Sequence, residues 1–490
     1  MPGTRPPDTP DVLVIGGGPA GSTAARLLAS WGWTVRLAHR PASRPALAES
    51  LPPSTRKVLA LLGQTDTIGA APFFPNHGNV AWWGGSIRET RSDEAGFHVA
   101  RAGFDALLRQ AARAAGVSIV DAIVRRVEAG EAPSCDLLTC EGQPLRVAPR
   151  LVLDCSGHAS LVARRGGFGR VDAPYRTLAL AAEWESEAWP DAERTRTVVE
   201  SFADGWAWSV PLSSTKRHIT VMLDPDFART LNAGARDTAL QRIYAHALAD
   251  APRIHARAAR ARQITRPWGA NASVYHSASP CAPGVLLAGD AASFIEPLSS
   301  AGVKKAMLSA WRAAVVANTI LGHPAMIPHA FAFYAARERE VYEECRQAAA
   351  GFFREAAAYH RSPFWEARVA AEADPAPDVA LRQAHERLRA APRARLRVPA
   401  GLRFGSAPEV EGREIVLREA IVIPGSDTPV RFAAGVNLPA LVRLAGKCDD
   451  VGSIFSAYHA HVGPAPVDSL VTGLSVLVAR QALILEDARP

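Results

Sequence analysis

The chain has 490 residues, 48% hydrophobic and 21% charged, which is the composition of an ordinary globular protein of two or three domains. No apolar run approaches the roughly 18 residues that a membrane span requires, so we expect no membrane partner. The net charge is +7, but the basic residues are spread along the chain rather than grouped, which argues against a nucleic-acid partner.

Residues 1–10, MPGTRPPDTP, predict a short disordered arm, because they are rich in proline and lack the apolar core of a secretory signal. The six cysteines are scattered and form no metal-type cluster. We therefore expect reduced thiols, no metal and a cytoplasmic protein.

A strand, a helix and a second strand are predicted over 11–15, 20–31 and 34–38. The residues between the first strand and the helix include Gly16, Gly18 and Gly21, spaced as G-x-G-x-x-G. The first glycine allows a tight turn, the second lets the backbone approach a pyrophosphate, and the third lets the helix pack on the strand. In this context the segment predicts a dinucleotide-binding unit with phosphates at the helix start, and a plain glycine turn is the alternative.

The end of the second strand departs from this pattern. An acidic residue is expected there to bind the ribose hydroxyls, but the sequence has His39 followed by Arg40. His39 can form a hydrogen bond to a hydroxyl, but the charged acceptor is missing. We therefore expect a weaker hold on the adenosine end of the cofactor, or a cofactor that is loaded transiently.

The rest of the chain alternates strands and helices until a long helical stretch. The predicted elements are a helix over 99–116, strands over 123–155 and 176–225, a helix over 236–259, a strand from residue 284, a helix over 300–321, helices over 326–395, and strands in REIVLREAIVIP and TPVRFAAG.

The segment GVLLAGDAASFIEPLSSAGVKKA delivers Gly289 and Asp290 at the end of a strand. Two further motifs are DCSG at 154–157 and HVARAGFDALL with Arg101. Together with the glycine pattern, and in this order, they resemble the FAD-dependent monooxygenases of the p-hydroxybenzoate hydroxylase type, over about residues 11–345. The resemblance implies FAD as cofactor and an aspartate that bonds a ribityl hydroxyl. The implied contacts to the rest of FAD are Arg101 and the loop residues Pro297, Ser300, Gly302 and Val303. The alternative for Arg101 is an exposed arginine at the start of a helix.

The resemblance also implies an α/β fold with a Rossmann-type FAD-binding domain, an interleaved β-sheet substrate domain and a mostly helical C-terminal region. We assign the discontinuous FAD-binding domain to 11–175 and 265–345, and the substrate-side sheet to 176–264 with part of 72–98. Residues 346–490 are predicted to form a helical and small α/β region.

The segment GWAWSVP resembles the W-x-W-x-I-P signature of flavin-dependent halogenases, although Trp206 and Trp208 also fit one face of a core strand. Halogenases carry a lysine on the strand that follows the ESLPPS-like segment. Here that region reads FFPNHGNVAWWGG, with Asn76 and His77 and no lysine. Ser299 stands where tryptophan halogenases have an acid, so the resemblance implies that halogenation is lost and oxygen transfer or a hydride step remains.

Three segments, AESLPPSTRKVLALLG, PNHGNVAWWG and EPLSSAGVKKAMLSAW, resemble more closely the QhpG-like and LodB-like flavoproteins that accompany tryptophylquinone enzymes. This resemblance implies hydroxylation of a peptidyl tryptophan during biogenesis of cysteine tryptophylquinone, through a C4a-hydroperoxyflavin formed with O2 as co-substrate. It implies a precursor polypeptide as partner, with electrons from NAD(P)H or from a separate flavin reductase.

Catalytic roles are predicted for His77, as proton donor or hydrogen-bonding group, and for Glu49, as base. A turn position for His77 and a helix cap for Glu49 are the alternatives. The predicted pocket wall that excludes water consists of Trp82, Trp83, Trp206 and Trp208.

Two other functions are compatible with the sequence. The first is a flavin-dependent halogenase or a small-molecule aromatic hydroxylase. The second is a non-catalytic flavin-containing assembly factor. The presence of His39 where an acidic residue is expected favours this second function.

Overall fold

The computed structural model describes residues 9–41, 47–165, 167–230, 236–372, 378–426 and 428–486. The predicted arm at 1–10 lies almost wholly outside them. The strands are β1 (Val12–Ile15), β2 (Val35–His39), β3 (Ala48–Leu51), β4 (Phe74–Trp83), β5 (Ser86–Ala100), β6 (Ser118–Glu128), β7 (Ser134–Thr139), β8 (Pro144–Val147), β9 (Leu151–Asp154), β10 (Arg170–Asp172), β11 (Leu178–Glu185), β12 (Thr197–Phe202), β13 (Gly205–Pro211), β14 (Lys216–Leu223), β15 (Arg262–Gln263), β16 (Trp268–Asn271), β17 (Tyr275–Ser277), β18 (Cys281–Ala282), β19 (Val285–Leu287), β20 (Ser293–Phe294), β21 (Arg395–Arg397), β22 (Arg403–Glu411), β23 (Glu414–Val422), β24 (Pro429–Val430), β25 (Phe432–Ala433), β26 (Val436–Asn437) and β27 (Ile484–Glu486).

The helices are α1 (Pro19–Ser30), α2 (Thr55–Leu61), α3 (Thr65–Gly69), α4 (Arg101–Ala114), α5 (Leu161–Arg165), α6 (Pro225–Thr230), α7 (Arg236–Ala249), α8 (Pro252–Ala258), α9 (Gly302–Gly322), α10 (Ile327–His360), α11 (Pro363–Ala371), α12 (Val379–Ala390), α13 (Leu438–Ala445), α14 (Val451–His461) and α15 (Val467–Ala479). None of the described helices combines the length and the apolar character needed to cross a bilayer.

The predicted βαβ unit forms the centre of an eight-stranded sheet with the order β18-β19-β9-β1-β2-β6-β7-β8. β1 pairs in parallel with β2 on one side and with β9 on the other. All four residues of β1 are buried, as expected for a parallel strand covered on both faces. β19 joins the sheet beside β9, so segments far apart in sequence lie side by side in the sheet. The predicted α/β, Rossmann-type class is confirmed.

A second sheet of nine strands has the order β15-β11-β14-β13-β12-β4-β5-β3, with β16 paired to β11. It contains the segments that were assigned to the substrate side. It also includes β3 and β16, which the sequence placed with the FAD-binding part. β5 continues to Ala100, so α4 begins at Arg101 rather than at the predicted residue 99.

A second helix prediction also needs correction. The predicted helix over 236–259 is divided into α7 and α8, because Pro252 cannot continue a helix and instead occupies the first turn of α8. The predicted domain boundary at 345 falls inside α10, which has 34 residues. The two compact units are Met1–Ala373 and Asp374–Pro490.

The second unit has its own hydrophobic core, which α12 to α15 and the strands around them bury. Leu441, Leu470 and Leu474 are fully buried at its centre. β22 and β23 form a hairpin that β24 extends.

The nine-stranded sheet buries two histidines, which gives a prediction about acid stability. Burial lowers the pKa of His98 to about 3 and that of His218 to about 4. Both residues are 1% exposed, and in the unfolded chain both return to the ordinary pKa near 6.5. Below that pH the unfolded state therefore binds protons that the folded state does not bind. The free energy of unfolding should fall by about 1.4 kcal/mol per pH unit for each histidine as the pH drops from about 6.5 towards the folded-state values.

Urea unfolding at a series of pH values measures this slope. The variants His98→Gln and His218→Gln should each flatten it, whereas the exposed His255→Gln serves as a matched control that leaves it unchanged. A slope that survives in the double variant would contradict the assignment.

Candidate functional site

The glycine turn after β1 has the close packing that its sequence predicts. Gly16 has φ +103°, and a Cβ atom added there would lie 2.4 Å from the carbonyl oxygen of Cys155. A Cβ atom at Gly21 would lie only 1.8 Å from the carbonyl oxygen of Gly16. At Gly18, by contrast, the nearest atom to an added Cβ is Nη2 of Arg101, at 3.7 Å. The turn is therefore closed towards the sheet and open in front of the start of α1.

The DCSG segment packs against this glycine turn. The buried carboxylate of Asp154 accepts hydrogen bonds from the backbone N–H groups of Ser156 at 2.9 Å and Val162 at 2.7 Å. Both oxygens are thus used to shape the loop after β9, against which Gly16 packs. Asp154 has a structural role in this arrangement.

The adenosine end of the predicted site contains His39 and an arginine that the sequence did not single out. The ring of His39 lies over Gly17, and Arg109 donates from Nη1 to the Gly17 carbonyl oxygen at 2.9 Å. Burial and the charge of Arg109 lower the pKa of His39, so its ring is neutral and one nitrogen is able to accept a hydrogen bond. Arg40 is exposed.

Arg101 is the centre of a charged cluster in front of the glycine turn. Its guanidinium donates to both carboxylate oxygens of Asp105, at 2.9 and 3.0 Å, and lies 3.4 Å from Oε1 of Glu49. Burial opposes its charge, but Asp105, Glu49 and Asp290 outweigh that effect and raise the pKa of Arg101. Burial raises the pKa of Glu49, Arg101 opposes this shift, and Asp290 adds to it. The structure therefore gathers Arg101, Glu49 and Asp290 from three separate segments.

The turn that carries Asp290 is fixed by buried polar groups of α9. The backbone N–H of Gly289 donates to Oγ of Ser309 at 2.8 Å, and Ser309 donates to Glu338 at 2.9 Å. Lys305 is 4% exposed and donates from Nζ to the carbonyl oxygens of Gly289, at 2.9 Å, and Ser293. This network locks the turn onto the helix that follows it.

The loop between the Asp290 turn and α9 contains the other predicted flavin contacts. Pro297–Ser299 form one turn of 3-10 helix, and Ser300 has the left-handed value φ +47°. α9 then begins at Gly302, with Val303 buried in its first turn. The N–H groups of this first turn and the positive end of the helix dipole are able to stabilise negative charge on a ligand.

Asn76 and His77 lie at an irregularity where β4 pairs with β5. Asn76 is buried and donates from Nδ2 to Oγ of Ser50 at 2.9 Å, and Thr197 donates to the same oxygen at 2.7 Å. His77 is half-buried, and its Nδ1 lies 3.1 Å from the carbonyl oxygen of Ser92. The Ser50 hydroxyl of β3 therefore links Asn76 of β4 and Thr197 of β12, whereas the His77 ring contacts the backbone of β5.

Three of the four predicted wall tryptophans meet in one aromatic cluster. Trp83 lies with its ring centre 6.3 Å from that of Trp206, which lies 5.5 Å from that of Trp208. Trp365 of α11 joins them, at 5.3 Å from Trp83. These rings thus form one aromatic cluster with a member that the sequence did not indicate, and their role as a pocket wall stays a prediction.

The prediction that Trp82 lies with the other three tryptophans is wrong. Because side chains alternate along a strand, Trp82 lies on the other face of β4 from Trp83. There the guanidinium of Arg257 stacks over its ring at 4.7 Å. Trp82 therefore belongs to the opposite side of the nine-stranded sheet.

The geometry of the turn fits a dinucleotide such as FAD. The open space before Gly18 and the adjacent Arg101 suit a pyrophosphate, and Asp290 lies where the two halves of the site meet. The roles of the individual residues stay predictions.

Comparison with known proteins identifies the family. The family model described as tryptophan halogenase matches residues 87–396. The chain belongs to the tryptophan halogenase family. Its curated relatives include the tryptophan 2-halogenase of Chondromyces crocatus, which is 29% identical over 341 residues. That match covers 67% of this chain and 65% of the relative, so the chain spans slightly less than two thirds of its length.

Two solved structures share the fold. The flavin-dependent halogenase CmlS has a TM-score of 0.79 at 21% identity, covering 99% of this chain and 97% of that one. The peptidyl tryptophan dihydroxylase QhpG has a TM-score of 0.67 at 21% identity, covering 96% of this chain and 99% of that one. The predicted resemblance to halogenase-like FAD enzymes is thus confirmed at the level of the family. The narrower resemblance to QhpG-like proteins stays a prediction.

The two lysines at the start of α9 are engaged away from β4. Lys305 is held by backbone carbonyls beneath the Asp290 turn, and Lys304 donates to Oγ of Ser54 at 3.4 Å. β4 contains Asn76 and His77 where the resemblance to halogenases predicts a lysine. The groups available at that strand are an amide and an imidazole.

Sequence reasoning missed Asp105, Arg109 and Lys305. Asp105 follows Arg101 by four residues, so both lie on one face of α4, and this spacing was visible in the sequence. Lys305 and Ser309 share a face of α9 for the same reason. Their partners across the fold, however, come from contacts that no local pattern contains.

Proposed function

We propose that this chain is an FAD-dependent monooxygenase that hydroxylates an electron-rich aromatic ring, and that its substrate is a tryptophan within a polypeptide. Family membership supports a flavin-dependent reaction on an aromatic ring. The fold that the chain shares with the peptidyl tryptophan dihydroxylase QhpG, over 96% of its length, supports a polypeptide substrate.

The observation that carries the choice of hydroxylation is the chemistry of β4. Asn76 uses its amide to hold Ser50 and Leu51, and its own Oδ1 accepts from the Gly78 N–H at 3.0 Å. A buried amide in this position has no amine with which to carry an electrophilic halogen. Hydroxylation does not require such a group, because the oxygen is delivered from O2.

FAD supplies the activation of O2 when it is bound and reduced. The residues of the chain have three tasks around it. Gly18 and Arg101 bind the pyrophosphate, Asp290 binds the ribityl chain, and the first turn of α9 binds the electron-rich edge of the ring. Trp83, Trp206 and Trp208 exclude water, which protects the activated oxygen from release as hydrogen peroxide.

The proposed partners are the precursor polypeptide of a tryptophylquinone-bearing enzyme and a separate flavin reductase. Residues 396–490 are the proposed docking region for the polypeptide. Direct use of NAD(P)H is the alternative source of electrons.

Mass spectrometry of a polypeptide substrate tests this function. Co-expression of the chain with the candidate precursor should raise the mass of one tryptophan-containing peptide by one or two oxygen atoms. The modification should require O2 and reduced FAD, and it should be absent when the precursor tryptophan is replaced by phenylalanine. An unmodified but bound precursor would instead support a flavin-containing assembly factor.

A control experiment with bromide distinguishes the hydroxylase from a halogenase. The halogenase is the second candidate function, and family membership favours it. Incubation with bromide, reduced FAD and free arenes should yield no brominated product. Bromide-dependent incorporation into a free arene would refute the hydroxylase and establish a halogenase.

A further inference from the structure

Lys305 is a buried positive charge beneath the turn that carries Asp290. It is only 4% exposed, and its Nζ donates to the carbonyl oxygens of Gly289, at 2.9 Å, and Ser293. Lysine is rarely buried to this extent, because its ammonium group loses its hydration. Among the buried residues of α9, all of which the structure describes, Lys305 alone carries a charge. An apolar side chain would fill this space without the cost of losing hydration, so the charge calls for a functional explanation.

Gly289, whose carbonyl group Lys305 holds, is the point at which the two halves of the predicted FAD site meet. It has the left-handed value φ +65°, and a Cβ atom added there would lie 2.8 Å from Cβ of Ala20 in α1 and 3.4 Å from Cβ of Ala306 in α9. Its N–H donates to Ser309, and its carbonyl oxygen accepts from Lys305. Both polar backbone groups of Gly289 are therefore held by α9, which fixes the direction in which the chain continues into Asp290.

The charges around Lys305 identify its electrostatic partner. Burial lowers the pKa of Lys305, and the negative charges of Asp290 and Glu338 oppose this shift. Glu338 is already paired with Arg312, whose guanidinium lies 2.9 Å from its carboxylate. Asp290 is half-buried, and its charge also helps to raise the pKa of Arg101. The carboxylate of Asp290 is therefore balanced by two cations, Arg101 of α4 and Lys305 of α9.

We propose that Lys305 is a positioning residue of the FAD site, which fixes the Gly289–Asp290 turn and supplies a buried positive charge beneath it. Lys305 acts through Asp290 and does not itself touch FAD. The inference rests on the part of the proposed function in which Asp290 binds the ribityl chain, and it is independent of the aromatic substrate. Two effects follow, because a fixed carboxylate binds FAD more tightly and a nearby positive charge favours a flavin that has gained electrons.

FAD affinity tests the first effect. Lys305→Met keeps the length and approximate volume of the side chain but removes its charge and its N–H donors. We expect the dissociation constant of FAD to rise by a factor of about 10–100, as for the loss of a charge-assisted hydrogen bond. Flavin fluorescence during titration of the apoprotein measures it. Lys57→Met, at an exposed position of α2, is the matched control and should bind FAD normally. Normal FAD affinity in Lys305→Met would overturn the proposal.

A double-mutant cycle separates an action through Asp290 from a general effect on stability. Asp290→Asn should cost less FAD affinity in the Lys305→Met background than in the wild-type background, because the lysine no longer holds the turn that carries residue 290. Losses that simply add would assign Lys305 a role in the core alone, and the positioning role would then be rejected.

The reduction potential of bound FAD tests the second effect. Removal of a positive charge disfavours the addition of electrons, so the potential should fall in Lys305→Met and stay at the wild-type value in Lys57→Met. Equilibration of the FAD-loaded proteins with redox dyes measures it. An unchanged or higher potential in Lys305→Met would contradict the proposed electrostatic role.

Lys305→Gln separates the hydrogen bonds from the charge and serves as a second variant if Lys305→Met does not fold. Its amide keeps N–H donors without a charge, so it should recover part of the FAD affinity while its potential falls as in Lys305→Met. A wild-type potential in this variant would refute the electrostatic role. If the wild-type protein binds FAD but modifies no arene, the proposed hydroxylation fails, and affinity and potential still decide the role of Lys305. If the wild-type protein binds no FAD, both proposals fail together.

Discussion

Gly21→Ala should abolish FAD binding. The added Cβ atom would lie 1.8 Å from the carbonyl oxygen of Gly16, far inside van der Waals contact. The clash is with backbone, so neither a rotamer change nor a flexible side chain relieves it, and α1 must move away from the sheet. We expect a loss of about 4 kcal/mol or more in the free energy of unfolding or in FAD affinity, at the upper end of single substitutions. Flavin fluorescence during titration of the apoprotein measures the affinity.

Gly103→Ala is the matched control for this substitution. Gly103 lies in α4, and a Cβ atom there would meet no atom of the described residues within 4 Å. Because alanine is the better helix former, this variant should bind FAD normally and gain up to about 1 kcal/mol of stability. Normal FAD binding by Gly21→Ala would show that the turn is not the phosphate site.

Arg101→Gln should weaken FAD binding by a factor of about 10–100, which corresponds to a charge-assisted hydrogen bond of about 1.5–3 kcal/mol. Nη2 of Arg101 is the nearest atom to the open side of Gly18. Its loss would also leave the carboxylates of Glu49, Asp105 and Asp290 without their shared cation. Titration of the apoprotein with FAD, at low and high salt, measures the effect.

The exposed Arg113 in the last turn of the same helix supplies the control. Arg113→Gln removes the same charge from α4 but should leave FAD affinity unchanged. Equal losses in the two variants would indicate a general electrostatic effect rather than a specific contact.

The local parts of the FAD site were predictable because their signals are local. Strand β1, the glycine turn and α1 follow from a β-branched run, three spaced glycines and a helical apolar period, all within one short segment. Asp290 was predictable for the same reason, since it closely follows an apolar strand.

The parts that depend on strand phase and long-range packing were not predictable. Trp82 and Trp83 are adjacent in sequence, and only the pairing of β4 decides which of them faces the aromatic cluster. The buried carboxyl group of Glu296 lies near Arg368 of α11, and these two residues are far apart in sequence. His39 was expected to weaken the site, but the contact of Arg109 with Gly17 became visible only in the folded chain.

The placement of β19 has a consequence for how the protein acquires its cofactor during synthesis. β19 completes the eight-stranded sheet beside β9, although the whole run from β10 to β18 separates these two strands in the chain. A nascent chain that ends before β19 therefore displays the unpaired edge of β9, and it lacks Asp290 and the start of α9. Such an edge is prone to pair with other chains. The predicted FAD site is consequently incomplete until synthesis has passed β19, Asp290 and the start of α9.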